Sequence, residues 1–155
     1  MIELHKLKTL KPKILHDFKR ADLEIYGIDH FRPSYTALVF LNCDEKDPKK
    51  LGPDHPDCAG RFSVFGHENC TGNEGHCSVT VPQRFDTRRS HPLTKAFKRV
   101  EITHALRTAL SIRKTLQITI MVADEEGMAK RNKKRSAEKG KALFSCDRFQ
   151  VVTFA

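Results

Sequence analysis

Apolar and polar positions alternate most regularly over residues 116–122, where Leu116, Ile118, Ile120 and Val122 face one way and Gln117, Thr119 and Met121 the other. A period of two is that of a half-buried strand. Weaker alternation at 23–28, 61–65 and 149–154 predicts three more strands, and the nearly continuous apolar run 35–41 predicts a central one, covered on both faces. One helix is predicted near residue 103: Leu106, Ala109 and Leu110 share a face, and Thr103 can cap the N-terminus. Residues 44–56 and 81–93, rich in Asp, Pro, Gly and Lys, read as long loops, with Pro82 and Pro92 arguing against central strands there. The fold class this predicts is mainly β: an antiparallel β-sandwich with one short helix and long loops, spanning residues 21–155 as one domain behind an N-terminal arm, residues 1–20.

Composition narrows the function classes. A chain of 155 residues suits one hydrophobic core, and no apolar run is long enough to cross a bilayer. The first thirteen residues lack the continuous apolar stretch and cleavage site of a signal peptide, so a reducing cytoplasm is the expected compartment. There, five cysteines read as free thiols or metal ligands more readily than as a disulfide framework. The net charge of +9 raises the question of nucleic acid, but seven of the basic residues fall in the run 130–141. That run has no aromatic residue for base stacking and reads as a solvated loop, with anion or nucleic-acid binding as an alternative.

Candidate chemistry concentrates at residues 67–77, which read H-E-N-C-T-G-N-E-G-H-C. His67, Cys70, His76 and Cys77 supply imidazole and thiol donors of the kind that hold zinc or copper, and Gly72 and Gly75 let a short loop turn them inward. Adjacent residues on a regular strand point to opposite faces, so His76 and Cys77 share an ion only where the chain is irregular. Other readings of the same residues are a disulfide between Cys70 and Cys77, or small buried side chains with histidines bonded to the loop. His91, before Pro92, is the best further ligand from outside the motif; His55 and Cys58, which repeat the H-x-x-C spacing, come next. His5, His16, His30 and His104 read as solvent-facing or structural, and Cys43 and Cys146, beside strand ends, as packing residues. No nucleophile elbow, P-loop or dinucleotide fingerprint is present, and neither Asp86 nor Glu101 has a partner that spacing identifies.

The stretches S-Y-T-A-L-V-F-L-N (34–42), A-G-R-F-S-V-F-G-H (59–67), Cys70, G-H-C (75–77) and F-D-T-R-R-S-H-P-L-T (85–94), with the closing strand, resemble the β-sandwich accessory domain that accompanies the copper domain in some bacterial tyrosinase-like proteins. The resemblance covers residues 21–154 and implies a sandwich of antiparallel strands with a ligand-rich loop at one end. It does not imply oxidase activity, because a coupled copper pair needs six histidines presented mainly from a helical bundle, whereas the eight here are scattered over loops. The expected function is therefore a metal-binding module for one zinc or copper ion. The rival expectation is a module that docks a partner protein, such as a separately encoded oxidase, with a purely structural His/Cys loop.

Overall fold

The structure, a computed structural model, describes residues 2–7, 17–30, 33–67, 95–124 and 142–155. Among these residues, seven strands and one helix follow one another as β1 (Ile2–Lys6), β2 (Arg20–Ile28), β3 (Tyr35–Leu41), β4 (Cys58–Val64), β5 (Ala96–Glu101), α1 (Thr103–Ile112), β6 (Ile118–Asp124) and β7 (Arg148–Phe154). They form a four-stranded sheet of order β1-β6-β3-β4 and a three-stranded sheet of order β5-β2-β7. Every pairing is antiparallel. The fold is thus mainly β and sandwich-like with one short helix, as the periodicity predicts. No helix among the described residues is long and apolar enough to cross a membrane.

The alternation in the sequence shows which side chains enter the core. Ile118, Ile120 and Val122 of β6 join Tyr35, Ala37, Val39 and Leu41 of β3 and Ala21, Leu23 and Ile25 of β2 in one cluster between the sheets. The opposite face of β3 is covered too: Leu38 and Phe40 pack with Met121, Cys43 and Leu51 in a second cluster. This is why 35–41 carries no polar alternation. The sheets approach at Gly60 of β4, where an added Cβ would lie 2.6 Å from Cγ1 of Val100 in β5, so a side chain there would push the two strands apart.

Three expectations change. Residues 2–6 of the predicted arm form β1, which pairs along β6 from Ile2↔Ala123 to Lys6↔Thr119. Its two apolar residues, Ile2 and Leu4, lie against the second cluster, while Glu3 accepts a 2.8 Å hydrogen bond from the amide of Leu143; partners distant in sequence hold this strand. β5 is a strand that periodicity does not reveal, because Val100 is its one fully buried side chain. Thr103 is the first helical residue rather than the cap: Ile102 holds the cap position with no side-chain cap bond. The Thr103 hydroxyl instead accepts the amide of Ala21 at 3.0 Å and lies 3.0 Å from Oε1 of Glu101, fastening the start of the helix to β2.

The outer face of the three-stranded sheet carries an ionic network. Asp22 and Glu24 of the central strand β2 are buried beneath the side chains of its neighbours. Arg20 Nε donates to Asp22 at 2.8 Å, and Arg99 Nη2 and Gln150 Nε2 each donate to Glu24 at 2.8 Å. The Tyr26 hydroxyl donates to the second oxygen of Glu24. Burial of these carboxylates is tolerable because each is paired with an arginine; Glu24 is hydrogen-bonded through both oxygens and Asp22 through Oδ1, while among the described residues Asp22 Oδ2 has only Arg99 Nε at 3.8 Å.

The helix is tied to the four-stranded sheet by Asn42, the residue after β3. It adopts a left-handed conformation (φ 52°), which Asn tolerates better than most side chains. Its Nδ2 donates to the carbonyl of Ala109 in α1 at 3.2 Å, its Oδ1 accepts the amide of Gln117 at 2.8 Å, and its own amide donates to the Gln117 carbonyl at 2.8 Å.

Asn42→Ala removes two side-chain hydrogen bonds and strains the left-handed residue, so it is expected to lower the unfolding free energy by about 2–3 kcal/mol in urea. Asn42→Gly, which relieves the strain but not the lost bonds, is expected to lower it by about 1–2 kcal/mol. Acid is expected to weaken the fold through Glu24, whose carboxyl is held below its ordinary value of 4.5 by the Tyr26 hydroxyl first and then by Gln150 and Arg99. A depressed folded value gives stability that is fully present above the unfolded value and is lost as pH falls through the folded one. Urea midpoints measured from about pH 5 to about pH 3 are expected to fall, and to fall less steeply in Glu24→Gln.

Candidate metal centre

His67, the first residue of the His/Cys motif, lies just beyond β4. Its amide donates to the carbonyl of His30 at 2.8 Å, which joins the segment after β4 to the segment after β2. The two imidazoles are half-buried, with ring centroids 5.2 Å apart and planes at 81°, and the ring of Phe65 lies 5.4 Å from that of His67. Two imidazoles on one tetrahedral ion, with ion–nitrogen distances of about 2.0–2.1 Å, have ring centroids about 5 Å apart. The His30–His67 pair has that separation, which edge-to-face ring packing gives equally, as between His5 and Phe144 at 5.3 Å. Cys70, His76, Cys77 and His91 lie outside the described residues, as does the basic run 130–141. His30, expected to be structural or solvent-facing, is the partner that sequence spacing misses; nothing in the local sequence around residue 30 signals that it meets residue 67.

A second set of donors gathers at the neck of the loop between β3 and β4. The amide of Leu41 donates to the carbonyl of Asp57 at 3.0 Å, so the exit from β3 and the entry to β4 are held together and Cys43 comes close to His55 and Asp57. One ligand atom from each of Cys43, His55 and Asp57 lies within 4.8 Å of the others. Cys43 is buried, while His55 and Asp57 are partly so. The loop is braced from within: the His55 amide donates to the Gly52 carbonyl at 3.1 Å, the Cys58 amide to the His55 carbonyl at 2.9 Å, and the Asp57 amide to His55 Nδ1 at 3.2 Å. Phe40 meets the edge of the His55 ring at 5.8 Å between centroids.

This neck opens on a groove of about 560 Å³ between the loop and α1. His55, Asp57 and Cys58 line one wall; His104, Thr108 and Arg113 line the other. Arg113 grips Asp44 with both ends of its guanidinium, holding the Asp44 carboxyl below its ordinary range and tying the loop to the end of the helix.

The chemistry open to these thiols follows from their surroundings. Burial pushes the Cys43 thiol above its ordinary value, with a backbone hydrogen bond from Glu45 opposing the shift and the Asp57 carboxylate adding to it. Burial likewise raises Cys58 and Cys146. None of these three cysteines is in a disulfide. A thiol kept protonated is a poor nucleophile, so the arrangement does not prime Cys–His acyl transfer; a cation that displaces the proton makes the same thiol a ligand.

Cys43 does pack into the second cluster, as its position beside a strand end suggests, and it also faces donors. Asp57 has no place in the sequence expectation. The usable signal was His55 and Asp57 just before one strand and Cys43 just after its hairpin partner. Cys146 is half-buried, His5 packs on Phe144 at 5.3 Å, and His104 is exposed at the rim of the groove. Among known proteins the chain matches no protein-family model, no curated protein and no solved structure.

Proposed function

We propose that this chain is a small metal-binding β-sandwich protein that holds one zinc or copper ion through His67, Cys70, His76 and Cys77. The observation that carries the reading is the run of four imidazole and thiol donors within residues 67–77, whose first member, His67, packs against His30 at 5.2 Å between ring centroids. That packing makes His30 a further ligand candidate alongside His91. The donor chemistry supports the same reading, since a set of thiolates and imidazoles favours zinc or Cu(I) over Cu(II) in a reducing compartment. The resemblance of 34–42, 59–67 and 85–94 to the accessory domain of tyrosinase-like proteins agrees with a ligand-rich loop on a sandwich. Four protein ligands would make the site structural or a metal carrier, whereas an open position would admit water or a substrate.

A second reading, a module that docks a separately encoded oxidase, is favoured by Phe65, which is 76% exposed beside His67. It predicts that Phe65→Ser abolishes stoichiometric association with such an oxidase while leaving bound metal unchanged.

Elemental analysis of untagged, anaerobically purified protein tests the first reading. His67→Ala/Cys70→Ser is expected to carry about one equivalent of zinc or copper less than the wild type, and His30→Ala to lose the ion faster to a chelator. Unchanged metal content in the double variant, or a Cys70–Cys77 disulfide in the purified protein, would overturn it.

A further inference from the structure

We infer that Cys43, His55 and Asp57 form a second, separate metal site at the neck of the β3–β4 loop, one that takes a zinc-type divalent ion and turns its remaining coordination position to the groove beside α1. The residues are distinct from His30 and His67, so the two sites stand or fall independently.

Donors about 2.0–2.3 Å from a tetrahedral zinc ion are separated from one another by about 3.3–3.6 Å. Here the three ligand atoms are already within 4.8 Å of one another, and His55 Nδ1, 3.8 Å from Asp57 Oδ2, would exchange the Asp57 amide that it accepts for the ion. Closing the widest separation takes up to about 1.5 Å, shared between two side chains. Little backbone motion is needed, because the Leu41–Asp57 hydrogen bond, the turn from Gly52 to Cys58 and the edge of Phe40 hold the donors in place before any ion arrives.

Charge and ligand type then select the ion. One thiolate and one carboxylate neutralise a divalent cation, so binding leaves no net charge in a half-buried place. A mixed sulfur, nitrogen and oxygen set is borderline: too soft for magnesium or calcium, while the carboxylate disfavours Cu(I). Three protein ligands leave a fourth position, and because His55 and Asp57 both line the groove, that position faces the groove. The chain as a whole carries +9, yet Asp44, Glu45 and Asp57 outnumber Arg113 among the charged groove residues, which favours entry of a cation.

The test uses full-length, metal-free protein carrying Cys70→Ser and Cys77→Ser, titrated with Co²⁺ as a probe. The expected result is a sulfur-to-cobalt charge-transfer absorption that zinc displaces and that additional Cys43→Ser abolishes. Absence of the absorption, or its survival in the Cys43→Ser background, overturns the proposal. His55→Gln keeps the thiol and the buried cluster intact and covers the case in which Cys43→Ser does not fold. It is expected to weaken zinc binding at least about tenfold, a loss that even an outer-shell partner can cause. Unchanged zinc affinity in His55→Gln would likewise overturn the site.

Discussion

The left-handed turn at Asn42 is the constraint on which most of this molecule depends. One side chain joins three elements: it donates to the helix at Ala109, accepts from Gln117 at the entry to β6, and lies at the end of β3. The same turn sends Cys43 and Asp44 away from the strand direction, so that Cys43 enters the second cluster and Asp44 reaches Arg113 at the end of the helix. The helix, the β3–β4 loop and the groove between them are therefore set by a single backbone conformation. Most residues resist it, and Asn supplies both the tolerance and the hydrogen bonds.

Around that junction, β3 is buried on both faces. Its inner side chains share the core with β2 and β6, and its outer ones lie under a loop anchored by Leu51. A loop that buries a Leu and braces itself with its own hydrogen bonds is a rigid base for donors, which reduces the entropy that a metal ion would otherwise have to overcome. On the other sheet, Asp22 and Glu24 spend their charge on Arg20, Arg99, Tyr26 and Gln150. Both are held by structure, although Oδ2 of Asp22 has no hydrogen-bond partner among the described residues. Among the described residues, donors gather at the strand ends, where the backbone leaves the ladder and side chains from different strands converge.

The raised thiols connect this architecture to function. Burial raises the thiols of Cys43, Cys58 and Cys146 above their ordinary value, which makes them poor nucleophiles. A thiol in that state becomes useful when a cation takes the place of its proton. Metal binding is the activity we propose for both donor sets.

Much of the framework was legible in local pattern. β3 and β6 could be read because their apolar residues repeat with the strand period, and the interval from residue 67 to 77 could be read because its donors are neighbours in sequence. β1 and β5 could not: each is an edge strand with few buried side chains, held by β6 and β2 and, at Glu3, by Leu143. Thr103 had the chemistry of a cap, but its hydroxyl was claimed by β2, a competition that no window around residue 103 contains. The sequence by itself determined the strand-rich class, the doubly buried centre and the chemical types of the donors, since these follow from composition and period along the chain. Only the tertiary structure decided that His30 faces His67 and that Cys43 meets His55 and Asp57. The first proximity arises where the ends of β2 and β4, strands of different sheets, come together, and the second from the pairing of β3 with β4 and the turn at Asn42; no local rule relates these residues.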